Sequence, residues 1–194
     1  MSTGMACPAE IDEAVRTARE YGCTQLVLLK CTSTYPAEPT NSNLATIPHI
    51  RELFNCEVGL SDHTLGIGVS IASVALGATV IEKHFTLSRE DGGVDSTFSM
   101  EPYEMKMLVE ETEKAWKSIG CITYGATESE KDSKNYRRSI YASKDIKIGE
   151  KLSKDNIKVI RPGYGLSPKY LDVVIGRTAT VDISKGTPIL WNNI

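Results

Sequence analysis

Glu57-Val58-Gly59-Leu60-Ser61-Asp62-His63-Thr64 reads as a short buried strand that runs directly into a histidine. The same texture returns in Ala78-Thr79-Val80-Ile81-Glu82-Lys83-His84-Phe85-Thr86. A third apolar run, Gln25-Leu26-Val27-Leu28-Leu29-Lys30, precedes both. Short continuous apolar runs of this kind mark parallel strands covered on both faces. In a parallel α/β sheet the C-terminal ends of the strands are where ligands bind. The chain holds three histidines, and two of them, His63 and His84, fall at such ends.

The segments between these runs carry helical periodicity. Pro8 opens the first helix, and Glu10, Asp12 and Glu13 complement the positive end of its dipole. Ile11, Ala14, Val15 and Ala18 form one apolar stripe, and Gly22 ends the helix. Ile47, Ile50, Leu53 and Phe54 mark a second helix, and residues 66–76 a third built of small side chains. A long polar loop, residues 86–102, leads to a last helix with Met105, Leu108, Val109, Thr112, Trp116 and Ile119 on its apolar side. The βαβαβα order predicts right-handed crossovers and a parallel sheet over residues 1–120. Residues 121–136 are polar and unpatterned and read as a linker. Residues 137–194 change texture. Short strands are expected at 139–142, 157–160 and 178–181, separated by Gly and Pro turns, which describes a small β-rich domain.

Composition narrows the function. With 194 residues the chain can bury a substantial core, and 41% hydrophobic with 24% charged residues is ordinary for a globular protein. A net charge of -3 implies no bulk attraction to nucleic acid or to anionic membrane. No apolar stretch is long enough to span a bilayer, and no signal-peptide pattern opens the chain. Five cysteines, an odd number without a C-x-x-C pair, argue for a reducing cytoplasm rather than a disulfide framework or structural zinc.

Two neutral imidazoles converging from neighbouring strands, with Glu82 and Asp62 close by in sequence, suit one divalent metal. By spacing alone they read more readily as satisfied core histidines than as metal ligands. His49, beside Pro48 on a helix, reads as structural. Glu82 lies two residues before His84 and so shares its face of the strand. It reads either as a proton-transfer group behind the metal or as a buried carboxylate paired with a lysine. Ser61 shares a face with His63 in the same way.

Further motifs carry a resemblance. Ser2-Thr3-Gly4-Met5, Cys31-Thr32-Ser33-Thr34-Tyr35-Pro36, Gly59-Leu60-Ser61-Asp62-His63-Thr64 and Glu82-Lys83-His84-Phe85-Thr86-Leu87 resemble the sialic acid synthase family. So do Arg161-Pro162-Gly163-Tyr164-Gly165 and Ile183-Ser184-Lys185-Gly186-Thr187-Pro188. The loop Gly92-Gly93-Val94-Asp95-Ser96-Thr97-Phe98-Ser99 is most similar to the pseudaminic acid synthase branch. The resemblance implies a (β/α)8 TIM barrel, of which this chain carries strands six to eight, followed by an antifreeze-like (SAF) domain. Met1-Ser2-Thr3-Gly4 resembles the end of the fifth strand, so a C-terminal fragment, inactive alone, is expected.

The activity implied is condensation of phosphoenolpyruvate with an N-acetylated amino sugar, here a 2,4-diacetamido-2,4,6-trideoxy hexose, in carbohydrate biosynthesis. The cofactor implied is a divalent metal, Mn²⁺ or else Mg²⁺ or Co²⁺, held by His63 and His84, with Glu82 beside them. Ser2, Ser33 and Ser61 match positions near phosphoenolpyruvate, and Tyr35 and Asp95 match sugar-contacting positions. Arg161 matches an arginine that reaches the active site of the partner in a homodimer with exchanged SAF domains. By composition these serines are ordinary turn formers and Arg161 a surface arginine. Two other functions compete: a carbohydrate-binding or ice-binding SAF module without catalysis, and another phosphoenolpyruvate aldol synthase on the same barrel. The complete βα units disfavour the first, and the tail disfavours the second.

Overall fold

A computed structural model describes residues 1–194, which divide into two compact units, Met1–Cys121 and Ile122–Ile194. The first unit is built on three parallel strands in the order β1 (Val27–Cys31), β2 (Glu57–Asp62) and β3 (Val80–Lys83). Helices α1 (Pro8–Glu20), α2 (Thr46–Phe54), α3 (Gly68–Ala75) and α4 (Pro102–Ile119) alternate with them. The Cys7 N–H donates to the Glu10 carboxylate at 2.7 Å at the start of α1, which holds that carboxyl below its ordinary range. At the other end Gly22, at positive φ, donates to Arg19 while Cys23 donates to Ala18, closing the helix with paired reverse bonds. Arg19 then reaches the carbonyl oxygens of Phe54 and Asn55, tying α1 to the end of α2.

The register sets which side chains share a face. Leu28 pairs with Val58 and Lys30 with Leu60, and the alternation points Leu28, Val58 and Leu60 at the helices. There they form one core with Val15, Ile47, Ile50 and Phe54. The opposite face carries the rows Leu29–Gly59–Val80 and Cys31–Ser61–Glu82. Gly59 is required by this packing. A Cβ there would stand 2.3 Å from the Val80 carbonyl oxygen and 2.6 Å from a Leu29 methyl. Residues 1–3 run parallel to the free side of β1, where Leu29 donates to Met1 and Thr3 donates to Leu29.

The apolar side of α4 differs from its sequence reading. Leu108 is buried, but Val109, Trp116 and Ile119 are exposed. Val109 and Trp116, with Val74, Ala78 and Ile81, border an open groove of about 470 Å³ beside β3. The groove follows from topology, because β3 has a strand on one side only and α4 extends past it.

The second unit has its own core. Strands β4 (Ser139–Ala142) and β5 (Ile157–Ile160) pair antiparallel. Ile140, Ile146, Leu152, Ile157, Val174 and Ile189 pack beneath them. The segment expected as a strand at 178–181 makes a single bridge, Lys151 to Thr178. Ala179 continues this antiparallel pairing with Glu150 and Gly149, but Thr180 turns away to donate to Asn193, so the pairing stops before a strand forms. A short helix, α5 (Leu171–Val174), supplies Val174 to the core where no periodicity pointed to it. The stretch 121–136 is not featureless. It holds 3-10 helices at Glu128–Glu130 and Asp132–Tyr136, and Gly163 donates to the carbonyl of Asn135.

Candidate active site at the strand ends

His63 and His84 follow the last residues of β2 and β3. Their ring centroids are 5.2 Å apart, with the planes at 64°. His63 Nδ1 lies 2.8 Å from the carbonyl oxygen of Thr32. A carbonyl only accepts, so Nδ1 carries the proton and the Nε2 lone pair is left for a ligand. His84 Nδ1 stands 3.5 Å from Asp95 Oδ2, and the His84 carbonyl accepts from Met100. Tyr35 packs on His63 at 4.3 Å between centroids and approaches His84 at 5.7 Å. Phe98 lies 5.1 Å from His84 and 5.8 Å from Tyr35. The result is a half-exposed cup of two imidazoles, two aromatic rings and one carboxylate.

The donor set fits one divalent cation. A nitrogen about 2.1 Å from a metal puts the imidazole centroid about 3.2 Å away, so two rings on one tetrahedral ion have centroids about 5.2 Å apart. No group of three or more His, Cys, Asp or Glu is arranged to hold a metal ion, so beyond the two imidazoles the remaining positions would fall to oxygen from water or substrate.

Glu82 is exposed, and its carboxylate accepts from the buried Ser61 hydroxyl at 2.8 Å. The reading of Glu82 as a buried carboxylate paired with a lysine is therefore overturned. The lysine-paired carboxylate is Asp62, which points away from the histidines toward α3 because neighbouring residues of a strand alternate in direction. Lys83 Nζ donates to Asp62 Oδ2 at 3.0 Å, with 3% and 1% of the two side chains exposed. Ser33 lies near the strand ends, its hydroxyl 3.9 Å from Cys31 Sγ, and a Cβ on Gly4 would come within 3.2 Å of it. Ser2 is exposed and bridges to Leu29. Arg161 belongs to the second unit and is exposed.

Phe98 and Lys83 escaped the sequence reading. Phe98 sits in a polar loop whose fold comes from the 3-10 turn Ser96–Phe98 and from Arg89, which donates to the Ser99 carbonyl and pairs with Glu101 and Glu104. The signal for Lys83 was available: a lysine between Glu82 and His84 on a buried strand must point into the helix layer and needs a carboxylate there.

Parallel strands that present ligand-type side chains at their C-terminal ends define an α/β unit of the small-molecule-binding kind. Residues 1–124 match the NeuB family and residues 137–194 match the SAF domain, and the chain belongs to the NeuB family. It is 41% identical over 186 residues to the pseudaminic acid synthase of Campylobacter jejuni, covering 96% of this chain and 54% of that protein. It is 42% identical over 183 residues to the N,N'-diacetyllegionaminic acid synthase of the same species, covering 93% and 55%. The crystal structure of the spore coat polysaccharide biosynthesis protein SpsE from Bacillus subtilis superposes with a TM-score of 0.58 at 34% identity, over 100% of this chain and 60% of that one. The chain thus spans little more than half the length of these relatives. No disulfide links the five cysteines, and no helix is long and apolar enough to cross a membrane.

Proposed function

We propose that the strand-end cup is the metal and sugar site of a nonulosonic acid synthase. The reaction joins phosphoenolpyruvate to the aldehyde of a 2,4-diacetamido-2,4,6-trideoxy hexose, takes up water and releases phosphate. The observation that carries the reading is the facing pair His63 and His84 at 5.2 Å, with the His63 tautomer set by Thr32. The relatives named pseudaminic and legionaminic acid synthase support the class. The 92–99 loop favours the pseudaminic branch. In this assignment β1 to β3 are strands six to eight of a (β/α)8 barrel, and residues 1–3 beside β1 are the end of the fifth.

His63 and His84 would hold a divalent cation, Mn²⁺ foremost, which would supply Lewis acidity toward the aldehyde oxygen. Asp95 accepts hydrogen bonds from a sugar hydroxyl or acetamido N–H beside His84. Tyr35 and Phe98 form an apolar wall suited to the 6-methyl and acetamido methyl groups. Ser33 and Ser2 offer hydroxyl donors at the strand ends for the carboxylate or phosphate of phosphoenolpyruvate. Glu82, whose carboxylate accepts from Ser61, is assigned the proton of the attacking water. Arg161 is assigned to the sugar site of a partner subunit, where its planar fork suits acetamido oxygens.

A Mn²⁺ titration of the chain followed by electron paramagnetic resonance tests this reading. One site is expected, abolished by His63→Ala and by His84→Ala and untouched by His49→Ala. Equal binding by all four proteins would sink it.

A further inference from the structure

The polar cluster behind the site has no part in the chemistry above, and it is costly to build. Asp62 and Lys83 are direct partners in the β2–β3 register, and each immediately precedes one of the two histidines. Asp62 Oδ1 accepts from the Thr64 N–H at 2.8 Å and from the Thr64 hydroxyl at 2.7 Å. This closes a tight turn in which His63 is the central residue. Ser70, from α3, donates to Oδ2 at 2.6 Å. Lys83 Nζ donates to the same Oδ2 and, at 2.6 Å, to the carbonyl of Thr64. One ammonium thus holds both ends of the turn that carries His63, and it does so from the residue next to His84. No buried side-chain polar atom is left unsatisfied.

Stability does not explain the pair, because well-packed apolar residues in place of a buried ion pair are often as stable or more so. Apolar packing would, however, let the two strand ends slide. Directional bonds fix them, and a two-imidazole metal site tolerates only a few tenths of an ångström. We infer that Asp62 and Lys83 are positioning residues that set the spacing and orientation of the His63 and His84 rings from the far side of the sheet. The inference rests on the metal-site reading for its purpose, but the geometry it asserts exists without metal.

The test uses the full chain with both charges removed together, Asp62→Asn with Lys83→Met, so that no lone charge is left buried. Ser70→Ala is the milder variant, with the ion pair intact. Val58→Ala is the control for general loss of stability on the same strand. Three readouts are taken: thermal melting, Co²⁺ affinity with its visible absorption spectrum, and the metal-free His63 tautomer by ¹⁵N NMR. The double variant should melt close to wild type yet bind Co²⁺ about 10- to 100-fold more weakly, with an altered absorption band. Its His63 should lose the single Nδ1–H form. Ser70→Ala should weaken binding about fivefold, the worth of one hydrogen bond. Val58→Ala should melt lower with affinity and tautomer unchanged.

A folded double variant with wild-type affinity and tautomer overturns the inference. If the double variant does not fold, Ser70→Ala with unchanged affinity and tautomer overturns it. If the wild-type chain binds no Co²⁺, the metal reading falls, and the tautomer in the two variants still decides whether the pair positions His63.

Discussion

The two units bury different things. The second encloses an almost wholly apolar cluster, Ile140 to Ile189, with Ser139 and Asn156 as its buried polar residues. The first unit buries nine polar residues, and five of them, Ser61, Asp62, Thr64, Ser70 and Ser73, lie on or beside the strand that leads to His63. Burial of polar groups costs free energy unless every group is bonded. Such groups therefore gather where geometry matters more than adhesion. The first unit places a buried, fully bonded ion pair at one end of its sheet. The second shows no comparable buried charge.

The sharpest way to break this comparison is to unbalance the buried pair. Lys83→Met alone strands the Asp62 carboxylate in the interior and should destabilise the first unit by about 3–5 kcal/mol. Chemical denaturation followed at Trp116 for the first unit and Trp191 for the second would show the first transition moving and the second staying. A loss below about 1 kcal/mol would mean that water reaches Asp62 and that the network is not a closed one.

In the tail the equivalent insult is a cavity. Ile140→Ala removes a fully buried side chain and should cost about 2–5 kcal/mol, seen at Trp191 and not at Trp116. If both reporters shift together, the units do not unfold independently and the contrast between them loses its basis.

Gly59→Ala should cost about 1–3 kcal/mol, because the new methyl must displace the Val80 carbonyl or the Leu29 methyl. It should also weaken Mn²⁺ binding, since Gly59 lies two residues before Ser61 on the strand leading to His63. Loss of stability with unaltered binding would show that the strand ends are insulated from the strand middle.

The smallest effect belongs to the surface of the tail. The Lys147 ammonium and the Ile148 N–H hold the Asp182 carboxyl below its ordinary 3.8. A depressed carboxyl contributes stability above its unfolded value and loses it as pH falls through the folded one. The contribution is therefore complete at neutral pH and is lost as pH falls below 3.8. Carboxyl NMR titration should find Asp182 titrating low, and Lys147→Met should move it upward. An unmoved Asp182 would assign the shift to the Ile148 N–H alone.

The main elements of the first unit were legible because period and length agreed. The runs at 25–30, 57–60 and 78–82 became β1 to β3, in that order and parallel, with boundaries off by one or two residues. The histidine pair was legible as well, since two of three histidines at strand ends is a pattern a reader can see. The identity of the lysine's partner was not. Glu82 and Asp62 are both acidic residues close to Lys83, and only the cross-strand register puts Asp62 opposite it. In the tail, 178–181 has strand composition but switches from residues 149–151 to Asn193 after Ala179, and local sequence carries no record of such a switch.

By itself the sequence determined the alternation of strand and helix, the apolar faces and the residues that end the strands, because each depends on neighbours a few positions away. Tertiary structure alone decided that Phe98 and Asp95 come to His84, that Thr32 sets the His63 tautomer, and that Asp62 rather than Glu82 receives the Lys83 charge. Those choices depend on register across strands and on a loop's path, where residues far apart in the chain meet within hydrogen-bonding distance and the free energy of each contact exists only once the other is in place.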